Sequence, residues 1–137
     1  MLKSLLLLCA GILVSLAPIR TLAAGAQDAT PPAVAPTATN PVKPTAESQA
    51  KAKSLYQIDC AVCHGDNGDG KTDLAKSMGV TLSDFTDPKT FAGMTDGQLF
   101  NTIRSGKGEK MPPEQSGRAN DTALWNLIIY LRHLSKP

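Results

Sequence analysis

Cys60-Ala61-Val62-Cys63-His64 decides how this chain reads. Two cysteines three positions apart, with a histidine directly after the second, form the attachment sequence for c-type haem. Chemistry explains the spacing. The two thiols add across the two vinyl groups of one porphyrin, and the next imidazole falls under the iron as a proximal ligand. Cys60 and Cys63 are therefore candidate covalent ligands of one haem c, and His64 is a candidate axial ligand of its iron. A thioredoxin-like redox pair needs a βαβ setting, and no convincing strand surrounds these cysteines.

The 137-residue chain does not begin as a folded domain. Lys3 precedes the apolar run Leu5 to Ala17, and small residues follow at Ala23, Ala24, Gly25 and Ala26. This is the grammar of a secretory signal peptide, expected to span residues 1–26. The run is shorter than a spanning helix wants, so cleavage is expected, with no membrane span afterwards; left uncleaved, the segment would tether the protein to the membrane. Cys9 leaves with the signal. Only Cys60 and Cys63 then remain, so no structural disulfide is available although export would permit one. The next stretch, residues 27–46, is rich in Ala, Pro and Thr. Prolines this dense forbid helix and supply no large core side chains. The expectation is an extended, semi-rigid linker acting as a passive tether.

The folded domain is expected over residues 47–137. Its eleven Lys and Arg are matched by eleven Asp and Glu, and the whole chain carries +2. That balance leaves no electrostatic footprint for nucleic acid. A helix is expected over Glu47–Asp59, with Ala52, Leu55 and Tyr56 on one apolar face, running directly into the cysteine motif. Gly65-Asp66-Asn67-Gly68-Asp69-Gly70 breaks it. A short helix is expected near Asp73–Met78, stopped at Gly79. Thr95 and Gln98 fit a capping box, followed by Leu99, Phe100 and Ile103 at helical spacing and a stop at Gly106. Ser105 to Gln115 reads as loop. Asn120 or Asp121 caps a last helix with the stripe Leu124, Leu127, Ile128, Leu131 and Leu134. Asp66, Asn67, Asp69 and Asp73 do not follow the spacing of a calcium loop.

A haem held by one histidine either takes a second protein ligand or stays open. The candidates are Met78, Met94, Met111 and His133. Met111 fits best. It follows a glycine-containing loop that lets the backbone approach closely, and Pro112 and Pro113 hold it extended. Met78 and Met94 lack the prolines and read as packing residues. His133 reads as a solvated residue at the end of the last helix. A His64/Met111 iron is six-coordinate, and the soft sulfur favours the reduced metal. Such an iron leaves no place for substrate, which points to electron transfer rather than catalysis. Arg104, Lys107 and Lys110 around Met111, and Asp66, Asp69 and Asp73 after the cysteine motif, suggest a charge-asymmetric docking face.

Over about Ala46 to Leu134 the chain resembles a small bacterial class I cytochrome c. Tyr56 supplies the aromatic four residues before the first cysteine, and Ala52 the small residue one turn earlier. Tyr130-Leu131, with Leu127, resembles the aromatic-Leu pair of that family's last helix. Met111-Pro112 resembles its axial Met-Pro. Asp84-Phe85-Thr86-Asp87-Pro88 and the Thr95-Asp96 helix start resemble one common bacterial subgroup. The proline that often follows the motif and orients the proximal histidine has no counterpart near Gly65–Lys71, which leaves the acceptor of the His64 N–H open. Trp125 either offers its indole N–H to a haem propionate or packs half-buried. The resemblance implies an all-α cytochrome c fold, three to five helices wrapped around one covalently bound haem. It also implies a periplasmic, monomeric carrier of single electrons between redox proteins, and not an enzyme. Two other readings stay open. One is an open-site haem protein, a gas sensor or peroxidase-like. The other is a haem subunit of a larger membrane oxidoreductase.

Overall fold

Thr45 opens the first helix. Its hydroxyl accepts from the Ser48 N–H at 3.1 Å, and the Ser48 hydroxyl accepts from the Thr45 N–H at 2.9 Å. This capping box satisfies donors that the first turn would otherwise leave orphaned. The computed structural model describes residues 34–135; the signal-peptide expectation lies outside them. Among the described residues the chain is all-α, with five helices and a single isolated bridge between Lys107 and Met111. The helices are α1 (Ala46–Asp59), α2 (Ala61–His64), α3 (Asp73–Ser77), α4 (Asp96–Ser105) and α5 (Asp121–Leu134).

α1 and α5 form the largest helix–helix contact. Ala52 and Tyr56 of α1 are buried, as the apolar face required, and small Ala52 leaves room for a close approach. On α5, Asn120 is the cap, accepting from the Ala123 N–H at 2.9 Å. The stripe Leu124, Leu127, Ile128 and Leu131 is buried, while Leu134 at the frayed end is partly so. Burying each such side chain is worth roughly 1.5–3 kcal/mol. The interface also contains a satisfied polar contact: Gln49 donates to the side-chain oxygen of buried Asn126 at 3.2 Å. Tyr56 and Tyr130 meet at 5.4 Å between ring centres.

α4 starts at the capping box read from Thr95 and Gln98. It stops at Gly106, whose φ of +75° suits glycine. It packs against α5, with the Phe100 and Trp125 rings tilted at 32° to one another and 4.5 Å between centres. Arg132 in the last turn of α5 donates to Asp96 in the first turn of α4 at 2.7 Å. Each charge sits at the helix end its dipole favours. Thr72 caps the short α3.

α1 ends at Asp59 and runs directly into the cysteine motif, as expected. Cys60, at φ −116° and still in the right-handed region, caps it and separates it from α2. The buried Tyr56 hydroxyl then donates to the Gly65 carbonyl at 2.7 Å, closing the redirected turn onto α1. One expectation changes: the Ala/Pro/Thr-rich stretch is not a passive tether in its described part. Residues 34–44 form no helix or strand and turn at Pro36-Thr37, where the Ala38 N–H donates to Ala35 O at 2.8 Å, but they are docked, with Val34, Ala38 and Val42 against the core. Asn101 of α4 clasps Val34 by both its N–H, at 3.1 Å, and its carbonyl, at 2.8 Å. Gly97 donates to Ala38 O at 3.0 Å, and Asn40 donates to Trp125 O at 2.8 Å. A Cβ on Gly97 would run into the Ala35 and Pro36 carbonyls, so this strap lies directly on α4.

Candidate haem site

Cys60, Cys63 and His64 lie within one turn, across the α1–α2 break. The His64 N–H bonds to Cys60 O at 2.9 Å, and the Cys63 N–H to the same carbonyl at 3.1 Å. Both thiols are free and partly exposed. Burial pushes the Cys60 thiol up to about 12, with the Glu114 carboxylate the next cause and Cys63 after it. Burial lowers His64, which keeps its imidazole neutral, the form a metal ligand needs. Its Nδ1 is buried with no hydrogen-bond partner among the described residues. The ring lies against Phe85, 4.7 Å between centres and 18° from parallel. Val62, between the cysteines, is 59% exposed, and Ile58, one turn before, is 72% exposed. The thiol edge of the site therefore opens to the surface beside two aliphatic side chains.

The loop after the motif folds back on it. Gly70 donates to His64 O at 2.8 Å, and Thr72 to Cys63 O at 3.0 Å. Asn67 and Asp69 serve the turn here. Asn67 accepts from the Asp69 N–H, and Asp69 accepts from the Lys71 N–H.

Met111 sits on the other side of the sequence, at the bridge Lys107 N–H to Met111 O, 2.9 Å. It is partly buried and packs on the same core cluster as Cys60. Gly106 makes this hairpin possible, because a Cβ there would strike the Met111 carbonyl and the Pro112–Pro113 backbone. Further along the same segment, Arg118 ion-pairs with Asp59, the residue before Cys60, and so ties this part of the chain to the cysteine turn. Of the other candidates, Met94 is 36% exposed, exposed His133 bonds back to its own helix at Ile129 O, and Met78, partly buried like Met111, caps α3. Trp125 is buried against Phe100.

Arg104 corrects an expectation. It is 3% exposed and belongs to no docking face. Its guanidinium donates to Glu114 O at 2.8 Å, to Ala119 O at 2.9 Å and to Asp121 at 2.8 Å. The Glu114 N–H meanwhile donates to Ile103 O at 3.0 Å. α4 thus clasps the loop on both sides of Glu114. The hint was in the sequence: Arg104 follows Ile103 and stands four residues after Phe100, on the apolar face of α4. Nothing local revealed Phe85, whose role depends on the loop that brings it to His64.

The donor set fits a covalently attached porphyrin: two unpaired thiols and a neutral imidazole on one turn. Residues 47–131 match the family described as cytochrome C oxidase, cbb3-type, subunit III. The chain belongs to that family. This cytochrome is similar to the CcoP subunit of the cbb3-type cytochrome c oxidase of Azospirillum brasilense. The two are 32% identical over 89 residues, 65% of this chain and 29% of that protein. It is also similar to the thiosulfate dehydrogenase of Stutzerimonas stutzeri, 28% identical over 64% of this chain and 28% of that protein. The cytochrome thus spans less than a third of the length of these curated relatives. Among solved structures it resembles part of the Kuenenia stuttgartiensis reducing HAO-like protein complex. That match has a TM-score of 0.60 and 25% identity, covering 77% of this chain and 50% of the other. A second is the KustC0563 c-type cytochrome, at TM-score 0.52 and 27% identity, covering 62% of this chain and 98% of that one. The cytochrome c fold and one covalently bound haem c follow from family and fold together.

Proposed function

We propose that this cytochrome is an exported monohaem electron carrier. Cys60 and Cys63 hold the porphyrin by thioethers, and His64 and Met111 are the axial ligands of its iron. The haem supplies a metal that gains and loses one electron without moving atoms far. The protein's residues do the rest. His64 is kept neutral by burial, ready to donate a lone pair. The Lys107–Met111 bridge and the two prolines hold the thioether on a short loop. Tyr56 closes the cysteine turn from below. One observation supports the reading of Met111: it packs, partly buried, on the same core cluster as Cys60, on a loop that Arg104 and Ile103 anchor at Glu114.

With both axial positions filled, no site is left for a substrate, which favours carrier over enzyme. Ile58 and Val62 beside the cysteines, with exposed Lys107 and Lys110 near Met111, make the surface on which a redox partner docks. The leader read in residues 1–26 supports periplasmic export, where such haem is attached.

The ferric absorption spectrum tests the ligand set. Methionine on iron gives a weak long-wavelength sulfur-to-iron band, and the reduced protein then resists carbon monoxide. An absent band with ready carbon monoxide binding establishes an open-site haem protein instead. A second reading, a haem subunit of a larger membrane oxidoreductase, is favoured by the cbb3-type family match. Purification from membranes in a stable complex would support it. No helix among the described residues is long and apolar enough to cross a membrane.

A further inference from the structure

We propose that Phe85 sets the plane of the His64 imidazole, in place of a hydrogen-bond acceptor on Nδ1. The inference rests on the reading of His64 as an axial ligand. An imidazole bound to iron through one nitrogen retains one soft motion, rotation about the metal–nitrogen axis. A ligating histidine ordinarily loses that freedom by donating its other N–H to a carbonyl, carboxylate or water. Here Nδ1 is buried and has no partner among the described residues. Near Gly65–Lys71 the sequence also has no proline to orient this ring.

Phe85 supplies a wall instead. Its ring is nearly parallel to the imidazole at 4.7 Å. The wall is itself fixed. The Phe85 N–H donates to Gly68 O at 2.7 Å, and the far side of the ring network continues to Phe91 at 5.2 Å. Gly68, at φ +87°, has no room for a Cβ, which would lie 2.9 Å from Leu134 and 3.1 Å from Phe85. The loop that leaves the cysteine motif thus returns a carbonyl to seat the residue that faces the ligand. The electronic consequence follows. An imidazole that donates no hydrogen bond is less basic than one that does, and it pushes less electron density onto the metal.

The test is NMR on the holoprotein. In the reduced, diamagnetic state an axial imidazole is marked by ring protons shifted far upfield by the porphyrin ring current. The expected result is such a shift for His64, with cross-relaxation between the His64 and Phe85 rings. In the oxidised state the order and spread of the four haem-methyl resonances report the plane of the axial imidazole. Phe85→Leu, which keeps an apolar side chain but removes the flat face, should change that order or spread. Phe85→Tyr should restore it. Covalent haem retention and helical circular dichroism confirm that each variant is folded. A wild-type haem-methyl pattern in a folded Phe85→Leu protein overturns the proposal while leaving His64 as ligand. Absence of the upfield His64 shift overturns it together with the ligand reading.

Discussion

The two sides of the proposed iron site are held by different means. His64 lies on a turn tied to its own neighbourhood: Cys60, Gly65 and Gly70 all bond within ten residues of it. Met111 lies on a loop with one backbone bridge, and much of its restraint comes from Arg104 on α4, which reaches forward to Ala119 and Asp121. The histidine side is therefore a local structure and the methionine side a tertiary one. Damage to the helix packing should release the methionine first. The histidine should stay, held next to the two proposed covalent anchors.

The strongest way to break this comparison is to remove the anchors. Cys60→Ser with Cys63→Ser should abolish covalent haem, read as complete extraction of pigment by acidified organic solvent. Pigment that resists extraction would place the attachment elsewhere. Next comes Arg104→Met, which leaves the Glu114 and Ala119 carbonyls without their buried donor. The expected loss is about 3 kcal/mol, on the scale of unsatisfied buried groups. Denaturant titration measures it. The long-wavelength methionine band should vanish at lower denaturant than the helical signal, whereas simultaneous loss would mean that the loop is no weaker than the rest.

The strap sharpens the comparison from a third side. Asn101→Ala removes both bonds to Val34 and should cost about 1–2 kcal/mol by the same titration, without altering the visible spectrum. A spectral change would tie the strap to the iron site.

The smallest effect is electrostatic. Burial raises Glu114, against the pull of Arg104, so the folded state holds this proton more tightly than the unfolded chain. Its stabilising share is full below the ordinary glutamate value and fades as pH rises through the higher folded value. Glu114→Gln should flatten that part of the stability–pH curve and leave the protein slightly more stable at neutral pH. An unchanged slope would show that the Glu114 carboxyl is not buried in solution.

Local chemistry was legible without a structure. The cysteine–histidine turn, the Thr95–Gln98 box, Asn120 as a cap and the α5 stripe all depend on residues within a turn or two of one another. Arg104, Phe85 and the strap were not. Arg104 looks like a surface cation at a helix end until its partners, up to 17 residues away, surround it. Val34 meets Asn101 across 67 residues, so a proline-rich stretch with no periodicity reads as linker until its acceptors are known.

The sequence by itself determined the cofactor and the helices, and singled out the cysteine turn as the proposed attachment, because covalent chemistry, capping and amphipathic spacing act over a few residues. Only the tertiary structure decided that Arg104 is a clamp, that the strap is part of the domain and that an aromatic face stands beside His64. Those outcomes depend on burial and hydrogen bonds between segments distant in the chain, and the partners exist only once α1, α4 and α5 have packed.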